Sequence, residues 1–119
     1  MKTLPLLTAA FLTAALATEA ANETEVKACI TTLKGVPQVV VGTICKDQSL
    51  RALNRITWET SFSLMDKLEL NEQQMVAGVG NDWLLAHAKC GENKKCLTSS
   101  YALILSLLND LRAYIDQKN

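Results

Sequence analysis

The chain has 119 residues, with twelve basic and twelve acidic side chains and a single histidine. That balance lacks the basic footprint expected of a nucleic-acid binder and gives no long-range electrostatic steering toward any partner. Four cysteines in so short a chain suit a small domain that relies on cross-links as well as on its core.

At the N-terminus Lys2 precedes a charge-free run from Leu4 to Ala17, made of Leu, Ala, Thr, Phe and one Pro. Ala15-Leu16-Ala17 and Thr18-Glu19-Ala20 then offer acceptable cleavage sites, so residues 1–20 read as a secretory signal peptide. The apolar run is shorter than the roughly 20 residues of a bilayer-spanning helix. No cysteine near the cleavage region is available for lipid attachment. The expectation is a periplasmic or secreted protein without a membrane anchor in its mature form. Residues 21–119 are then one domain of about 100 residues.

Asn22-Glu23-Thr24-Glu25 resembles a capping box, and Val26, Ile30 and Leu33 follow at helical spacing with Cys29 beside them. Gly35 and Pro37 end that helix. Residues 37–45 are ambiguous. Val39-Val40-Val41 favours a strand, yet no second strand-like segment exists to pair with it, so a short helix or an extended bridge is expected. Asp47 is the N-cap of the next helix, whose apolar face runs through Leu50, Leu53, Trp58, Phe62, Met65 and Leu68. A third helix opens at Asn71 with Gln74 in the capping-box position. Met75, Val79, Trp83 and Ala86 mark its apolar face, and Gly78 and Gly80 suggest close packing against a neighbour. The segment from Cys90 to Cys96 is a polar loop. The last helix has the clearest periodicity, with Leu97, Tyr101, Ile104, Leu108, Leu111 and Tyr114-Ile115 on one seam. Leu103, Leu105 and Leu107 widen it, as for a central helix. The expected fold is all-α, a small disulfide-stapled bundle of three long helices and one short one.

All four cysteines, Cys29, Cys45, Cys90 and Cys96, lie in the mature part. An even count in an exported chain favours two disulfides. The pairing Cys29–Cys45 and Cys90–Cys96 is expected because each closes a short local loop. A zinc site is disfavoured: five residues separate Cys90 from Cys96, wider than the usual ligand gap, and only His87 could add an imidazole. No metal and no cofactor are expected.

Trp83-Leu84-Leu85-Ala86-His87-Ala88-Lys89-Cys90, then Cys96-Leu97, Tyr101, Ile104-Leu105 and Leu108, resemble the LprI-type lysozyme-inhibitor domain family of small exported bacterial proteins. Ala28-Cys29, Ile44-Cys45-Lys46-Asp47-Gln48-Ser49-Leu50 and Leu53-Asn54-Arg55 match its first half, so the likeness runs from about Lys27 to Leu111. The chain departs from the pattern at Asn54, where the family usually has Asp, and at Gly80, where it often has Gln. His87 stands where Arg is common, and Ile104 where Arg usually precedes the Ile. A surface network or target contact made by those family residues is expected to be missing here. The resemblance implies a periplasmic binding protein that inhibits a peptidoglycan-cleaving enzyme.

Catalysis is not expected. His87 lies about one turn from Trp83 and Cys90, but a lone histidine near a helix C-terminus is more often structural, favoured by the helix dipole when protonated. An oxidised Cys90 offers no thiolate. Glu69, Glu72 and Asp82 fall on polar faces rather than in a cleft. The candidate partner-binding residues are Glu92, Asn93, Lys94 and Lys95, held in restricted shape by a Cys90–Cys96 bridge. Lys94 or Lys95 would face the carboxylates of a cell-wall hydrolase. Trp58 and Trp83 are expected in the core. Two other roles suit the same chain: an immunity protein against a secreted wall-degrading toxin, and a structural or stress-related envelope protein without a hydrolase target.

Overall fold

Backbone hydrogen bonding in this chain is satisfied by helices. The computed structural model describes residues 23–118, all of whose regular elements are helical. They are α1 (residues 23–32), α2 (Gln38–Lys46), α3 (Gln48–Met65), α4 (Leu70–Ala88) and α5 (Lys94–Lys118). The expected signal peptide and the N-cap Asn22 lie outside the described residues. The all-α class with two disulfides holds, but the count of one short helix does not: α1 and α2 are both short, beside three long helices. No described helix is long and apolar enough to cross a membrane.

The extra helix forms in the ambiguous segment. Gly35 adopts a left-handed φ of 86° after α1, a conformation that glycine reaches without a Cβ clash. The Pro37 carbonyl then accepts the Val40 and Val41 N–H groups, starting α2. Val40 and Ile44, four residues apart, are buried together with Cys45, and Cys45 is bonded to Cys29 of α1. Burial on one helical face and this cross-link override the β-branched propensity. Closing a loop of this length stabilises by roughly 3 kcal/mol through the unfolded chain.

Only Asp47 separates α2 from α3, and its side chain accepts the Leu50 N–H at 3.0 Å, the expected cap. The Arg51 guanidinium donates to the Cys45 carbonyl at 3.0 Å, and its Nε lies 3.4 Å from Glu25 of α1. Of the expected stripe, Leu50 and Leu68 are buried and Leu53 and Met65 pack against the core; the buried face of α3 also takes in Arg51, Asn54, Thr57 and Leu64. Phe62 is 64% exposed and Trp58 half-buried. Polar side chains face inward here because they find partners there.

α5 is the axis, packing on α2, α3 and α4. Leu97, Tyr101, Ile104, Leu108 and Ile115 are buried as the seam requires, whereas Leu103, Leu107 and Tyr114 are exposed. α4 opens two residues earlier than expected. Glu69 is its N-cap residue, and the Glu72 carboxylate, rather than the Gln74 amide, accepts the Glu69 N–H at 3.0 Å. Glu72 is also held by Tyr114 at 2.9 Å and Lys118 at 2.8 Å. Those contacts hold its carboxyl far below the ordinary range, to about 2, with the Lys118 hydrogen bond the largest cause. Along α4 only Trp83 and His87 are buried; Met75 and Val79 are exposed. A Cβ added at Gly78 or Gly80 would meet nothing within 4 Å, so neither glycine serves the close packing expected of it.

Asn54 joins three helices. Its Oδ1 accepts the Tyr101 hydroxyl at 2.8 Å and the Trp58 indole N–H at 3.2 Å. Its Nδ2 donates to the Thr32 hydroxyl at 2.8 Å, which in turn donates to the Cys29 carbonyl at 2.7 Å. An aspartate would satisfy the first two donors but would set a carboxylate oxygen against a Thr32 oxygen already donating elsewhere. Asn54→Asp is therefore expected to cost roughly 2–4 kcal/mol at neutral pH, the scale for an uncompensated buried charge. Burial raises a carboxyl pKa, so protonation restores a donor and the deficit against the parent chain narrows as pH falls. Denaturant unfolding of both chains at several pH values checks this.

Candidate functional site

The tip between α4 and α5 is built from its backbone outward. The Cys90 N–H bonds the His87 carbonyl, Gly91 bonds Ala88, and Asn93 bonds Cys90. Gly91 has a φ of 60° and turns the chain. The Asn93 side chain accepts the Cys96 N–H at 3.0 Å, capping α5. The Cys90–Cys96 disulfide closes the turn. Glu92, Asn93, Lys94 and Lys95 are all exposed. The structure divides them, though: Glu92 and Asn93 lie in the turn, and Lys94 and Lys95 begin α5.

Asp47 fastens the tip to the α2–α3 junction. Its carboxylate meets the Lys94 ammonium at 3.0 Å. The Leu50 N–H first and Lys94 second hold the Asp47 carboxyl below the usual carboxylate range. An open polar hollow between the two segments is lined by Gln38, Lys46, Asp47, Glu92 and Lys94. Asp47 is legible in the sequence as a cap, not as a partner of Lys94. Its second role depends on the approach of residues 47 positions apart, for which local patterning holds no signal.

An aromatic and polar cluster stands behind the tip. Trp83 stacks on His87 with ring centroids 4.5 Å apart, and His87 meets Tyr101 edge-on at 4.4 Å. The Trp83 indole donates to the Ser100 carbonyl at 2.9 Å. His87 Nδ1 lies 2.7 Å from the Ser100 hydroxyl, while its buried Nε2 has no hydrogen-bond partner among the described residues. Ser100 was not foreseen as a partner; its place one turn after Cys96 was the available clue. Trp83 is in the core as expected. His87 is structural as well, but for a different reason: burial depresses its pKa to about 4 and outweighs any help from the helix dipole.

Several of the groups that could take part in chemistry are already engaged. Cys90 and Cys96 are joined, as are Cys29 and Cys45. His87 is wholly enclosed, so it is out of reach of a substrate proton. Glu69 and Glu72 are engaged at the start of α4 with Lys118. Among the described residues no group of three His, Cys, Asp or Glu is placed to hold a metal ion. No family model matches the chain, and no curated protein or solved structure matches it either.

The histidine sets a pH dependence. Neutral His87 is favoured in the fold, whereas the unfolded chain takes up a proton near the ordinary value of 6.5. Stability is therefore full above about 6.5 and declines as pH falls toward about 4, by on the order of 3 kcal/mol at most. In His87→Asn, which keeps a hydrogen-bonding atom near the Nδ1 position, that decline is expected to be largely absent. Thermal unfolding between those limits measures it.

Proposed function

We propose that this chain is an exported binding protein that inhibits a peptidoglycan-cleaving enzyme, with the tip from Cys90 to Cys96 as its contact surface. The observation that carries the reading is an exposed polar tip immobilised from several sides at once. The disulfide, the Asn93 cap and the Lys94–Asp47 ion pair restrain its four polar residues. Ordering a loop on binding costs free energy, and a tip ordered beforehand avoids much of that cost. The likeness to LprI-type lysozyme inhibitors supports the choice of target. Lys94 is partly engaged by Asp47, so Lys95 is the cation presented to the acidic cleft of a muramidase.

The signal-peptide pattern of residues 1–20 and two disulfides of the kind that persist in oxidising compartments support export. The protein acts by occupying its target and performs no chemistry of its own.

Inhibition of purified muramidases in a wall-clearing assay tests the proposal. Lys95→Glu is expected to weaken inhibition by about tenfold or more, the scale of a desolvated charge contact, with its melting temperature unchanged. Replacing Cys90 and Cys96 together by Ser is expected to weaken it also, through lost preorganisation. Inhibition that is absent in the parent chain, or unaltered by Lys95→Glu, overturns the assignment.

A further inference from the structure

Between α3 and α4, over α5, lies an open groove of about 480 Å³. It runs beside the stretch of α4 between two points where polar contacts fasten the helix. Trp83, His87 and the Cys90–Cys96 bridge hold one end against α5. Glu72, bonded to Tyr114 and Lys118, holds the other. Thr57, Trp83, Ile104 and Leu108 are buried residues of the lining, and Phe62, Met75, Val79 and Leu107 are exposed at its rim.

The chemistry of the lining narrows the occupant. Among the described residues it contains no charged side chain, and its one amide, Asn81, is exposed. The Thr57 and Ser61 hydroxyls donate to carbonyls of their own helix at 2.8 Å. Both indole N–H groups are used, Trp58 by Asn54 and Trp83 by Ser100. A peptide or a sugar would bring more polar groups than one amide can pair, at a desolvation cost. A second copy of the chain would need roughly 800 Å² from each partner. Yet the groove extends along α4 only from Met75 to Leu84, about 14 Å at the helical rise. Its volume does fall within the roughly 300–1,000 Å³ of small-ligand sites, and methionine and aromatic side chains adapt to a flexible apolar guest.

We propose that this groove takes up one acyl chain of a lipid, lying along α4 with its headgroup in solvent. The site is separate from the tip, and the inference does not depend on hydrolase inhibition. Gly80 lines the groove, and a Cβ there meets nothing within 4 Å. A larger side chain at that position therefore enters the space meant for the ligand, and replacing a helical glycine favours the helix.

The test uses the processed protein with its disulfides intact and dansyl-undecanoic acid as a fluorescent probe. Saturable binding is expected, with displacement by lauric acid and lauryl alcohol alike, since no charge in the lining reads the headgroup. Gly80→Leu is expected to weaken the probe by about tenfold or more without lowering the melting temperature. Val79→Lys at the rim weakens it too. Failure of the parent protein to bind saturably, or equal binding by Gly80→Leu, overturns the proposal. So does sedimentation of the parent as a dimer that Gly80→Leu dissociates, which would assign the groove to a second copy.

Discussion

The architecture depends on one buried amide. Asn54 is almost wholly enclosed and uses both ends of its side chain, accepting from Tyr101 and Trp58 and donating to Thr32. A buried amide without partners would oppose folding. With them, it makes only one placement of α1, α3 and α5 acceptable, because donors and acceptors must match as well as shapes. Apolar contacts along α5 supply most of the stabilisation through area removed from water, but they tolerate small rotations of a helix. The amide does not.

From Asn54 the constraint spreads in two directions. Toward α1 and α2 it reaches Thr32 and the Cys29–Cys45 cross-link, where Arg51 bonds the last turn of α2 and approaches Glu25. Toward α4 it reaches Tyr101, whose ring meets both Trp83 and His87. Burial accordingly raises the Tyr101 hydroxyl pKa and lowers that of His87, so both remain neutral in the core at ordinary pH. The second cross-link follows His87 by less than a turn. The tip is thus the outer end of a continuous packed path, while the groove runs beside α4 away from that path.

Three residues, one on each long helix, serve the interior. Asn54, His87 and Ile104 are all buried. Asn54 fits Thr32, His87 fits the space between Trp83 and Tyr101, and Ile104 completes the α5 seam. Their contacts are packing contacts, and none of the three belongs to the tip.

Local chemistry made part of this protein legible without coordinates. The α5 seam follows from the 3.6-residue period of its apolar side chains, Asp47 as a cap from its place before an apolar run, and the disulfide pairing from short loop closure. Each depends on neighbours in sequence. Elsewhere the sequence pattern pointed the wrong way or was silent. Val39 to Val41 favour a strand until Cys29 and the core claim Val40, Ile44 and Cys45. On α3 the buried face takes in Asn54, whose partners Thr32 and Tyr101 lie on other helices, while Phe62 of the apolar stripe faces solvent; the stripe at Met75 and Val79 borders a groove. Those outcomes required the tertiary structure, because a buried amide such as Asn54 is acceptable only when distant residues supply its partners, and no local window contains them.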